Sequence, residues 1–94
     1  MADAARIKAK VRGRVKGIGF RAFTSEQAKS LGLTGYVRNV PGERSVEVEA
    51  EGDKLKLDEF LIRIKKGPAL ARVESVEVAW EDYKGQYPDF SVRS

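Results

Sequence analysis

Between Gly13 and Arg21 the chain reads Gly-Arg-Val-Lys-Gly-Ile-Gly-Phe-Arg, and those residue types at that spacing suit the binding of a single phosphate group. Glycines let successive backbone N–H groups turn toward one anion, a following helix start adds partial positive charge, and the planar guanidinium of Arg21 can direct two N–H bonds onto phosphate oxygens. The competing reading is a Gly-rich turn that only reverses the chain, because short glycine motifs specify little without their context. The sequence contains neither His nor Cys. That removes imidazole bases, phosphohistidine intermediates, thiol nucleophiles and His- or Cys-based metal sites, so hydrolysis here has to use water directed by other polar groups. No cofactor and no metal is expected.

Five strand-like stretches and two helical ones stand ready to position this segment. From Ile7, the apolar Ile7, Ala9, Val11 and Val15 alternate with Arg6, Lys8, Lys10, Arg12 and Arg14, the period of a strand with one buried face. After the glycines, Phe20, Phe23, Gln27/Ala28 and Leu31 share a helical stripe that Gly32 is placed to stop. Leu33 to Asn39 and Val46 to Glu51 read as two strands joined through Pro41-Gly42. Asp53 is placed to cap a second helix with the stripe Leu57, Phe60, Leu61 and Ile64, closed by Gly67-Pro68. Val73 to Trp80 gives a fourth strand, with Val76, Val78 and Trp80 on one side, and Phe90 to Val92 a short fifth at the edge.

The order β-α-β-β-α-β plus a terminal strand predicts an α+β, ferredoxin-like βαββαβ sandwich, an antiparallel sheet with both helices on one face. At 94 residues a single domain over 1–94 is expected. With the first strand beside the third, Arg6 to Arg14 face Glu47, Glu49 and Glu51, predicting a charge ladder on the solvent face. No apolar run reaches the roughly 20 residues of a membrane span and no signal-peptide pattern opens the chain, so a soluble, cytoplasmic monomer without membrane contact is expected.

Three readings compete for the Gly-rich segment. Gly17-Ile18-Gly19-Phe20-Arg21-Ala22 fits a dinucleotide-binding turn, but that site needs parallel strands on both sides of a crevice. Lys16 to Phe23 resembles an RNA-recognition motif, yet it follows the first strand rather than forming the third, and the expected third strand offers glutamates in place of stacking aromatics. Nucleic acid is therefore not expected as a partner, and an anion- or RNA-binding module with little catalysis is kept as the alternative. The third reading, a site for one phosphate, gains from the rest of the chain. Gly13-x-Val15-x-Gly17-Ile18-x-Phe20-Arg21, followed by Gly35-Tyr36-Val37-Arg38-Asn39, resembles the two signature motifs of the acylphosphatases, small enzymes that hydrolyse carboxyl-phosphate anhydrides. Gly67-Pro68, Ala71-Arg72-Val73 and Tyr87-Pro88-Asp89-Phe90-Ser91-Val92 resemble later family segments.

That resemblance implies small acyl phosphates as substrates and inorganic phosphate as a competitive inhibitor. It also implies that Arg21 binds the phosphate with backbone N–H groups of Lys16, Gly17, Ile18, Gly19 and Phe20, while Asn39 holds the attacking water. On its own residues, Asn39 before Pro41-Gly42 reads as a turn residue. Two positions depart from the family pattern. Lys16 replaces a common glutamine, which predicts either stronger anion attraction or altered hydrogen bonding in the loop. One residue is inserted within Val40 to Ser45; placed in the tip it leaves Asn39 where the family has it, and propagated into the strand it displaces the water.

Overall fold

The computed structural model describes residues 3–94. The alternating start becomes strand β1 (Ala4–Arg14), followed by α1 (Phe20–Ser30), β2 (Thr34–Asn39), β3 (Ser45–Asp53), α2 (Lys54–Lys66), β4 (Arg72–Asp82) and β5 (Phe90–Arg93). The sheet runs β4-β1-β3-β2-β5, so β1 lies beside β3 as the ferredoxin-like reading requires. The first four strands are mutually antiparallel where they pair, whereas β5 adds to β2 in parallel, which makes the five-stranded sheet mixed. A parallel edge strand needs the chain to cross the sheet first, and residues 83–89 make that crossing.

Ile7, Val11, Val37, Val46 and Val48 fill the inner face and are met by Leu57, Phe60 and Ile64 of α2 and by Phe20 and Ala28 of α1. Full burial of each Val, Leu, Ile or Phe side chain among these contributes about 1.5–3 kcal/mol. The α2 stripe is buried as the spacing predicts, and the Asp53 carboxylate accepts from the Leu55 N–H at 2.9 Å to cap it. In α1 the buried residues are Phe20, Thr24, Ser25 and Ala28, with Phe23 only half-buried beside Phe20. Thr24 can take an inner position because its hydroxyl donates to the Phe20 carbonyl at 2.9 Å. Trp80 pairs with Ile7 on the inner side but remains 43% exposed, since β4 is the sheet edge. Gly35 permits the tight β2–β3 contact: a Cβ there would sit 1.9 Å from the Glu49 carbonyl oxygen.

The charge ladder is present in register, with Arg6 opposite Glu51, Lys8 opposite Glu49 and Lys10 opposite Glu47. It is not a solvent face along its length, however. Arg6, Glu49 and Glu51 are buried because the segment between β4 and β5 lies across them. The Glu51 carboxylate accepts the N–H groups of Lys84, Gly85 and Gln86 at 2.7, 3.2 and 3.0 Å, and the Tyr87 hydroxyl donates to Glu49 at 2.6 Å. Arg6 bonds Glu49 and Gln86 in the same layer.

Candidate active site

At its far end β1 gives up its pairing pattern. The register against β4 shifts between Arg12 and Gly13, and Gly13 donates its N–H to the Arg44 carbonyl of the β2–β3 hairpin at 3.0 Å. The chain then turns through Lys16 to Gly19 with Gly17 at φ 74° and Gly19 at φ 79°. Two left-handed residues alternating with ordinary ones turn successive N–H groups toward one side, an arrangement that suits an anion and that only glycine adopts without strain. Gly19 is also the residue before α1, so no side chain caps that helix and no acidic residue stands in its first turn. No acceptor among the described residues takes a well-formed hydrogen bond from the N–H groups of Lys16 to Ala22. Backbone donors collected in this way hold a lasting positive potential.

These residues border a cavity of about 220 Å³ lined by Val15, Gly17, Gly19, Phe20, Arg21, Ala22 and Val92. Arg21 is half-buried on its wall, and one guanidinium nitrogen, Nη1, donates to the Arg93 carbonyl at 3.1 Å. Phe20 belongs to the core with 1% exposure, so its contribution to the site is its backbone N–H. Ile18 packs partly against the core, and its N–H lies between the two left-handed glycines.

Asn39 ends β2 opposite Val46, and the β2–β3 register is unbroken from Thr34–Glu51 to that pair. The Val40 N–H donates to the Ser45 carbonyl at 3.0 Å. The hairpin is thus regular up to the turn at 41–44, and Asn39 occupies the last paired position of β2. Asn39 does not line the cavity itself. Two contacts bring the end of its strand to the cradle: the Lys16 ammonium donates to the Val40 carbonyl at 2.6 Å, and Arg93, whose carbonyl holds Arg21, pairs with Arg38. The Lys16 ammonium is thereby engaged in a hydrogen bond across the loop. Asn39 Oδ1 is buried with no hydrogen-bond partner among the described residues; fold-building bonds leave that acceptor uncommitted.

Arg93 is absent from the residues singled out in the sequence, and Val92 enters there only as the end of the terminal strand, not as part of the site. Their place beside Arg21 depends on a parallel pairing between segments more than fifty residues apart, for which no local pattern exists. The RNA reading loses its support: the outward residues of β3 are glutamates engaged with Arg6, Lys8, Arg38, Tyr36 and Tyr87. Burial, followed by hydrogen bonds to Glu47 and Glu49, pushes the Tyr36 hydroxyl well above its ordinary range, so it stays protonated near neutrality. The Arg38 and Tyr36 hydrogen bonds hold the Glu47 carboxyl below its usual value. No helix among the described residues is long and apolar enough to cross a membrane.

Comparison with known proteins gives a consistent picture. The family model described as acylphosphatase matches residues 7–92. An acylphosphatase of Thermus thermophilus is 54% identical over 85% of this chain and 90% of its own length, and one of Dehalococcoides mccartyi is 48% identical over 93% and 96%. The crystal structure of acylphosphatase from Bacillus subtilis superposes with a TM-score of 0.91 at 30% identity, covering 96% of this chain and 99% of that one.

Proposed function

Since the chain belongs to the acylphosphatase family, enzymes that act on small acyl phosphates, we propose that Arg21 and the Lys16 to Phe20 backbone hold the phosphoryl group while Asn39 places the attacking water. The observation that carries this reading is the run of uncommitted N–H groups from Lys16 to Ala22, tied by Lys16 to the end of the strand that bears Asn39. An acyl phosphate already has a good carboxylate leaving group, so positioning and charge stabilisation supply most of the catalysis. Water oxygen forms a bond to phosphorus as the bond from phosphorus to the acyl oxygen breaks. The acyl half departs as carboxylate, and the water proton passes to a phosphoryl oxygen, giving inorganic phosphate. No enzyme base is needed, in keeping with a sequence free of His and with a Tyr36 hydroxyl held protonated.

The product occupies the same donors as the substrate phosphoryl group, so inorganic phosphate is a competitive inhibitor. The exposed rim of the β4 edge carries Arg72, Glu74 and Glu77, charges that discourage strand-to-strand pairing and support a monomer. A cysteine-free sequence supports a cytoplasmic setting. The test is hydrolysis of benzoyl phosphate in the presence of a chelator by the parent chain and by Asn39→Ala, with the fold of both checked by circular dichroism. Turnover by the parent that falls about a hundred- to a thousandfold in the variant, with phosphate binding retained, is the expected result. An inactive but folded parent would overturn the assignment of these residues to catalysis.

A further inference from the structure

Arg21 owes its aim to a backbone carbonyl, and that carbonyl belongs to the last residue of a strand only four residues long at the sheet edge. Short edge strands open readily. The end of β5 is nevertheless tied down on the opposite side of the sheet from the cradle. The Arg93 guanidinium lies 4.2 Å from the centre of the Tyr36 ring and 5.8 Å from that of Tyr87, and the two rings meet edge to face at 5.9 Å. Neither ring is free to drift. The Tyr36 hydroxyl donates at 2.6 Å to Glu47 and lies 3.1 Å from Glu49, while the Tyr87 hydroxyl donates to Glu49 at 2.6 Å. Arg93 makes no ion pair with any described residue, so its side chain has the aromatic stack as its anchor.

We propose that Tyr36 and Arg93 are positioning residues for Arg21: the stack of the Arg93 guanidinium on Tyr36 fixes the end of β5, and the Arg93 carbonyl thereby fixes the Arg21 guanidinium at the cradle. The inference rests on Arg21 being the phosphate ligand. Because a guanidinium is planar and rigid, holding one N–H of Arg21 on a fixed acceptor sets the direction of its other donors. A loosened β5 would let that plane swing and weaken the fork it offers to phosphate.

The experiment is the affinity for inorganic phosphate, measured by calorimetry alongside urea unfolding, for the parent chain, Arg93→Ala, Arg93→Lys, Tyr36→Leu and Arg21→Ala. Arg93→Ala keeps the carbonyl and removes the anchor, and it should bind phosphate about threefold to tenfold more weakly. Arg93→Lys restores a cation over the ring and should recover most of that affinity. Tyr36→Leu retains the Arg93 charge yet should lose as much as Arg93→Ala, and combining the two should add little. Affinity unchanged in Arg93→Ala, or retained in folded Tyr36→Leu, would overturn the proposal while Arg21→Ala still abolishes binding. Equal weakening in Arg93→Lys and Arg93→Ala would overturn it as well. Should Arg21→Ala itself bind phosphate normally, the reading of Arg21 as ligand fails instead, and the two failures are thus distinct.

Discussion

The two ends of the sheet treat positive charge in opposite ways. Toward the start of β1, Arg6 is buried against Glu49 and Glu51 and reaches Glu81, and Lys8 faces Glu49. Around the cradle, Arg14, Lys16, Arg21, Arg44 and Arg72 form no ion pair among the described residues, and Arg14 stands directly opposite Arg72 in register. Like charges across a strand pair are unfavourable, so this end gives up a little stability where the other end is satisfied. Cations of the β1–β3 ladder are answered by carboxylates, and those around the cradle are left without one.

The contrast can be broken first at the cradle. Arg21→Ala should cut turnover about a hundred- to a thousandfold with little change in the urea midpoint, and Arg21→Lys should restore only part of it because an ammonium lacks the planar fork. An Arg21→Ala protein that is active but unstable would reverse the assignment of charge roles. At the opposite end, Arg6→Ala strands two buried carboxylates and should cost about 3–5 kcal/mol in chemical denaturation, with activity per folded molecule preserved. A loss below about 1 kcal/mol would mean that Arg6 contributes as a surface pair does.

Acid should expose the paired region selectively. Glu47 is held below its ordinary value of 4.5, so its contribution is fully present above that value and disappears as pH falls through the lower, folded-state value. Unfolding measured from pH 6 downward should show the parent losing stability below about 4.5, and Glu47→Gln should flatten that part of the curve; identical slopes would remove Glu47 from the account. The smallest effect belongs to the rim of the cradle. Arg72→Ala should lower kcat/KM about twofold at low ionic strength, a difference that vanishes in 1 M salt through screening, and persistence at high salt would point to direct contact instead.

Much of this was legible in local pattern. The period of two from Ile7, the α2 stripe with Asp53 before it and Gly67 behind it, and the glycines ahead of Arg21 each state their structure within a dozen residues. The proposed pairing of Asn39 with the cradle comes from the resemblance of the Gly35 to Asn39 block, because its own turn-like neighbourhood does not suggest it. What could not be read is long-range. Lys84-Gly85-Gln86 has no periodicity, and its role in burying Glu51 exists only through backbone N–H groups that three-dimensional proximity brings to one carboxylate. The half-exposed Trp80 is a related case, because strand alternation gives the side a residue faces and not whether another strand lies beyond it.

The first helix begins without a side-chain cap, at the residue where the cradle ends. With glycine in that place, omitting such a cap costs only about a few tenths of a kcal/mol. A phosphate held at the proposed site would supply what the sequence leaves out, so occupancy and folding would become linked equilibria: at a hundred times its dissociation constant, phosphate would add about 2.7 kcal/mol to the stability of the chain. In a cell rich in phosphate, the product of the reaction would then act as a folding ligand for the enzyme that releases it, and substitutions too destabilising for the purified, empty protein would be tolerated there.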